Sequence, residues 1–168
     1  MYGPDGQALY GWRVLLLPYL EEEKRFEEFK KDEAWDSPHN MRLIERMPGI
    51  YEASWQKIVK VPANHTVLRV FTGKGTPFEG GVKLDQTFFP KGIDNTLLFV
   101  EAGDPIPWTK PDEIEYDPKR PIVLKGLFRD GFRACTAASA GYRFIQHDTP
   151  EAELRGMIVR NRDESINP

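Results

Sequence analysis

The stretch Thr96-Leu97-Leu98-Phe99-Val100-Glu101-Ala102 decides the fold class, because it is a nearly continuous apolar run of the length of one buried strand. Both faces of such a strand need cover, so elements must lie on either side of it. His65 to Thr72, rich in β-branched and aromatic residues, reads as a second strand that stops at Gly73-Lys74-Gly75. Tyr142 to Gln146 reads as a third strand, and Ile122 to Leu124 as a weaker fourth.

Outward from these strands the pattern turns helical. From Trp12 to Lys31, Leu15, Tyr19, Phe26 and Phe29 fall on one stripe, while Glu21/Arg25 and Glu27/Lys31 are spaced as i,i+4 charge pairs. Pro18 either begins the regular helix or kinks a longer one, and the expectation is a helix whose regular part starts near it. A second helix is signalled by Ser37 as N-cap, Pro38 at the first position and the apolar residues Met41, Leu43, Ile44 and Met47; Pro48-Gly49 ends it. A third follows Asp148 or Thr149, with Pro150 at its start, Glu151 and Glu153 in the first turn, and Leu154, Met157 and Ile158 facing inward. Helix first, strands in the middle and helix last lacks βαβ alternation and argues against a parallel Rossmann-type sheet. The expected class is α+β: an antiparallel sheet packed against an N-terminal helix, in one domain over residues 11–168 after a flexible lead-in at 1–10.

Composition narrows the function. The chain has 168 residues, with 23 basic and 26 acidic side chains and a net charge of -3, so no excess of positive charge draws it to a nucleic-acid backbone. No apolar stretch approaches the ~18–20 residues that cross a bilayer, and the start, Met1-Tyr2-Gly3-Pro4-Asp5-Gly6, lacks the basic and apolar regions of a signal peptide. Cys135 is the single cysteine, which rules out an internal disulfide and a cysteine-based zinc site. Its neighbours Ala134, Thr136, Ala137 and Ala138 are small, which suggests a packing role.

Fourteen prolines join the apolar runs, and five of them, Pro105, Pro107, Pro111, Pro118 and Pro121, lie between Gly103 and Pro121. That segment reads as a long structured loop, stiffened towards polyproline geometry and unable to pair in a central strand. Within it, residues 104–118 offer two binding chemistries. Asp112, Glu113, Glu115 and Asp117 carry the hard oxygens that Ca²⁺ prefers, although their spacing is not that of an EF-hand and the plain reading is a solvated acidic loop. Trp108 could offer a stacking surface to a glycan or other ligand, or could pin the loop to the core.

Other motifs read as structural. Asp36, Ser37 and His39 hold the residue types of a hydrolase triad, but neighbours on one helical turn point around the axis and do not converge. Gly73-Lys74-Gly75-Thr76 has the wrong order for a phosphate loop and reads as a turn after a strand. His39, His65 and His147 are far apart and form no metal-ligand spacing.

Several phrases together resemble a large planctomycete family known as domain of unknown function 1559. They are Trp12-Arg13-Val14-Leu15-Leu16-Leu17-Pro18-Tyr19-Leu20-Glu21, Trp35-Asp36-Ser37-Pro38-His39-Asn40, Met47-Pro48-Gly49-Ile50-Tyr51 and Val70-Phe71-Thr72-Gly73-Lys74-Gly75-Thr76-Pro77-Phe78-Glu79. The resemblance extends through Asn95 to Ala102, Pro107 to Pro111, Gly126 to Phe128, Tyr142 to Ile145 and Leu154-Arg155. It implies a globular head like that of a type IV pilin or pseudopilin, without the prepilin leader. Such heads are extracytoplasmic, in the periplasm or at the cell surface, pack with protein partners or with themselves, and are not enzymes; a relative fused to another domain would be cytoplasmic. The sequence departs from the family near its end. Ala138-Ser139-Ala140-Gly141 stands where Ala-Asp-Gly-Ser is usual and the preceding His has no counterpart, so any role of that Asp and His does not carry over.

Overall fold

A computed structural model describes residues 9–52, 60–80, 92–138 and 142–160, together with residues 3, 6 and 89. The chain is α+β, with a four-stranded sheet in the order β1-β3-β5-β6 built from β1 (His65–Arg69), β3 (Leu97–Pro107), β5 (Gly131–Thr136) and β6 (Tyr142–Gln146). β3 and β5 pair antiparallel, as do β5 and β6. A short parallel pair joins β2 (Phe71–Thr72) to β4 (Ile114–Glu115). Two compact units divide the chain: residues 1–66 with 105–112, and residues 67–104 with 113–168.

The first unit holds the N-terminal helical residues, and here the expected long helix is broken into three pieces. They are α1 (Trp12–Leu15), a 3-10 turn (Leu17–Leu20) and α2 (Glu23–Glu28). Pro18 lies in the 3-10 turn, where its missing N–H costs nothing, and Glu21 ends that turn at φ 61°. The break changes which residues point inward. Val14, Leu17 and Phe29 are buried, whereas Tyr19, placed inward by the helical stripe, is 84% exposed.

α3 (Met41–Ile44) is shorter than its sequence signals and has Asn40 rather than Ser37 at its N-cap position; Ser37 Oγ accepts the amide N–H of Asn40 at 3.2 Å in the turn that precedes the helix. Asn40 is itself fully buried and serves the preceding loop. Its Oδ1 accepts from the Lys30 amide (3.1 Å), and its Nδ2 donates to the carbonyls of Lys30 (3.0 Å), Ala34 (3.0 Å) and Glu33 (3.4 Å). A buried amide satisfied on both ends replaces the hydrogen bonds that this irregular loop cannot make to itself.

The second unit contains the core formed by one face of the sheet. Leu97, Val100 and Ala102 of β3, Phe132 and Ala134 of β5, and Ile145 of β6 pack with Phe71 and Tyr116. The helix that shares this core is α4 (Glu151–Ile158), through Leu154 and Ile158. This C-terminal helix, expected from Pro150 and the Leu154, Met157 and Ile158 stripe, supplies an apolar face to the sheet within the second unit. Leu97 and Val100 are an odd number of residues apart and would face opposite sides of a regular strand. A bulge between Leu97 and Phe99 shifts the pleat and brings both into the core.

Two further strand expectations need correction, and one strand was not expected at all. His65 to Thr72 divides at Val70 between the two sheets, and the Val70 carbonyl accepts from Ile114 N (3.0 Å) to start the parallel pair. Ile122 to Leu124 is not a strand. β5 was unsignalled, although it is the strand to which both β3 and β6 pair; its Gly131, Arg133 and Cys135 interrupt the apolar pattern.

β3 also runs on through Pro105 and Pro107, residues assigned to a loop on sequence grounds. The strand tolerates them because alternate residues direct their backbone groups to opposite edges. Trp108 N donates to Asn64 O at 3.2 Å, so Pro105 and Pro107, of the opposite parity, place their missing donors on the other edge.

Candidate interaction face

The residues singled out from sequence do not converge into one site. Of the four loop carboxylates, Asp112 pairs with Lys110 (3.0 Å), and Glu113 accepts from the Val70 amide through Oε2 (3.2 Å). Glu115 is exposed on β4, and Asp117 accepts from the Lys119 amide (2.8 Å) while pairing with Arg120 (3.2 Å). Each carboxylate thus has its own local setting. Among the described residues no group of three or more His, Cys, Asp or Glu side chains is placed to hold a metal ion.

Trp108 is 0% exposed, which corrects its reading as a stacking surface. One face is stacked by Tyr51 (5.9 Å, 21° between planes), Phe29 meets it edge-on (5.9 Å, 88°), and its Nε1 donates to Ile44 O at 2.9 Å. Trp108 pins the chain to the core of the first unit. Arg13 completes that arrangement from α1, donating from Nε to Trp108 O and from Nη2 to Lys110 O, both at 2.8 Å. The Tyr51 hydroxyl in turn donates to Arg13 O at 2.8 Å. Gly11 is needed beside it, because a Cβ there would lie 2.9 Å from Lys110 O.

Ser37 and His39 are likewise engaged with backbone, Ser37 Oγ accepting from the Asn40 amide and His39 Nε2 meeting Glu28 O at 2.8 Å. The Gly73 to Thr76 segment is a turn, closed by Thr76 Oγ1 donating to Gly73 O at 2.8 Å, with Gly73 at φ 109° and Gly75 at φ 81°. The side chain of Glu79 braces it, accepting from Gly75 N (3.1 Å) and from Arg160 Nη2 (2.5 Å). The histidines stand apart: His65 Nδ1 meets Ala63 O at 2.8 Å, and His147 lies by the Phe132 ring at 6.4 Å.

What sequence reasoning missed lies on the sheet face opposite the core. The register pairs Phe99 with Cys135, Cys135 with Tyr142, and Arg133 with Phe144. The pair Val100–Ala134 then puts Glu101 across from Arg133. These six side chains share one face. Glu101 is 3% exposed, and its Oε2 has no hydrogen-bond partner among the described residues. Burial pushes its carboxyl up to about 7, against the pull of Arg133. Tyr142 is raised as well, first by burial and then by Glu101 and Cys135. The signal available in the sequence was a single carboxylate inside the apolar run of β3.

Towards β6 the face opens to solvent. Tyr142 is 57% exposed and Phe144 48% exposed, on the last strand in the sheet order. Phe144 packs against Phe128 (5.9 Å) and covers Gly131, where a Cβ would meet the Phe144 ring at 2.8 Å. Arg133 lies over the Phe128 ring at 5.3 Å. Exposed aromatic side chains beside a buried acid, with Arg133 among them, are suited to contact with another chain. Elsewhere in the second unit, a groove of about 180 Å³ runs along β4, lined by Phe71, Ile114, Tyr116, Ile122, Val123 and Leu124. No helix among the described residues is long and apolar enough to cross a membrane.

Residues 2–77 match the model of the family described as "Protein of unknown function (DUF1559)", which supports the family resemblance over this stretch. The match takes in the Trp12 to Glu21, Trp35 to Asn40 and Met47 to Tyr51 phrases and most of the Val70 to Glu79 phrase; the phrases from Asn95 onward lie beyond it. No curated protein and no solved structure matches the chain.

Proposed function

We propose that this chain is a non-catalytic assembly domain, of the kind found in the heads of pilins and pseudopilins, and that it acts outside the cytoplasm. The observation that carries this reading is the end of the sheet, where β6, the last strand among the described residues, presents Tyr142 and Phe144 to solvent. Large aromatic side chains on an outermost strand are costly to leave wet and are enriched at protein contacts. The distribution of polar groups supports it. Ser37, His39, Asn40, Glu79 and Arg13 serve turns, caps and backbone carbonyls, and leave no paired nucleophile and base among them. The extracytoplasmic location follows from the family resemblance.

Two measurements test the reading. Sedimentation of the purified chain over a wide concentration range, and native-gel analysis of extracts from the source cells, are expected to reveal assembly in at least one setting. A chain that is monomeric in both sinks it.

A further inference from the structure

We propose that Glu101 and Arg133 form a pH-operated switch on the sheet face opposite the core. With Glu101 protonated, the Arg133 guanidinium rests on the Phe128 ring; with Glu101 ionised, it crosses to the carboxylate and leaves that ring. The switch is a property of the folded chain and does not depend on the assembly reading.

Register places the two side chains. Phe99 pairs with Cys135 and Val100 with Ala134, so the next pair across β3 and β5 is Glu101 with Arg133. Side chains directly opposite on one face of an antiparallel pair have Cβ atoms about 4.5–5.5 Å apart, within reach of an ion pair. That pair is not closed at Glu101 Oε2, which is buried without a hydrogen-bond partner among the described residues. The guanidinium carbon of Arg133 lies instead 5.3 Å from the centroid of the Phe128 ring. A neutral acid tolerates this setting and a carboxylate does not, because a buried unpaired charge costs far more than one cation–π contact supplies.

The other charged and titratable groups described around Glu101 do not answer its charge. Cys135 on β5 and Tyr142 on β6 share its face, and both can add only negative charge. Arg143 pairs with Ala134 and so lies on the other face. On the far side of β3, Arg69 of β1 donates to the Asp104 carbonyl at 2.7 Å. Lys125 lies 4.0 Å from the Asp104 carboxylate, and His147 lies by the ring of Phe132, a core residue. Arg133 is the cation whose charge acts on Glu101.

The direction follows from burial. Held as it is, the carboxyl is raised from 4.5 to about 7. Movement of Arg133 stabilises the ionised form and draws the midpoint back down, so the switch turns between these two values. Below the midpoint the ring is covered; above it the ring is released. Phe128 also meets Phe144 at 5.9 Å, so the change reaches a second, half-exposed ring.

The test is NMR of the whole chain, labelled in its Glu, Arg and Phe side chains and titrated from about pH 4 to 9. The Glu101 carboxyl, Arg133 Nε and the Phe128 ring are expected to shift together with one midpoint. E101Q holds the low-pH state and removes the step at both Arg133 and Phe128. R133Q raises the Glu101 midpoint by at least about half a pH unit and leaves the Phe128 ring flat. The step persists in H147Q; its loss there would assign it to His147 and overturn the switch. A Phe128 ring that stays flat while Glu101 titrates in the wild-type chain also overturns it, as does a step that survives in E101Q. The wild-type titration decides the matter even where a variant fails to fold.

Discussion

The guanidinium of Arg13 donates to the carbonyl of Trp108 at 2.8 Å across 95 residues of sequence, and joins the first helix of the first unit to the end of β3. A second donation to Lys110 O makes the contact two-pronged. Arginine suits this task because its planar fork presents several donors in fixed directions, while lysine presents one compact point charge.

Replacing Arg13 by Ala would leave both carbonyls without this donor and open a void in a buried site. The expected cost is about 3 kcal/mol, or a fall in melting temperature of roughly 6–12 °C for a chain of this size. R13K is expected to recover less than half of the loss. Differential scanning calorimetry decides it, and an R13A melt within 2 °C of wild type would contradict the arrangement.

Asn40 is a second single point of failure. N40A removes one acceptor and one donor group that serve the loop over Lys30, Glu33 and Ala34. A loss of about 2–3 kcal/mol is expected. N40D, which keeps the acceptor but sets a carboxylate against three carbonyls, should be at least as damaging. Urea denaturation at neutral pH measures both.

Glu101 predicts the pH dependence. Its carboxyl is raised from the ordinary 4.5 to about 7, so the folded chain holds this proton more tightly than the unfolded chain does. The contribution of the group is full below pH 4.5 and is lost as pH rises through about 7. The size is on the order of 2–3 kcal/mol. Melting curves at pH 5, 6, 7 and 8 should show this fall, superimposed on other titrations, and E101Q should flatten it and melt higher than wild type at pH 8. A variant whose curve runs parallel to wild type would rule out this role for Glu101.

Gly73 is set by geometry. Its φ of 109° is open to glycine, and a Cβ would lie 2.7 Å from the carbonyl oxygen of Tyr116. G73A is expected to cost about 2–3 kcal/mol, whereas G49A, with open space around the position, should cost little. The difference between the two melts is the measurement.

Calcium is expected to leave the chain unchanged. Asp112, Glu113 and Asp117 are each engaged with a separate local donor, so binding an ion would require breaking those contacts. A rise in melting temperature at millimolar Ca²⁺, lost in D117N, would restore the acidic loop as a metal site.

The sequence by itself determined the α+β class, the strands at His65 and Tyr142, the C-terminal helix and the turn at Gly73 to Thr76, because each is written in local periodicity, capping residues or glycine placement. The family match over residues 2–77 was legible from the N-terminal phrases for the same reason: they are contiguous. Tertiary structure alone decided the rest. Tyr19 lies outside because Pro18 and the left-handed Glu21 break the helical period, and a stripe drawn on an unbroken helix cannot see that. Gly131 to Thr136 forms a strand because β3 and β6 supply its hydrogen bonds, not because of its own pattern. The open face opposite the core, with Glu101 buried at one end and Phe144 exposed at the other, exists only once the register of three strands brings together residues 99–101, 133–135 and 142–144. Pairing between distant segments sets which side chains share a face, and no local window contains it.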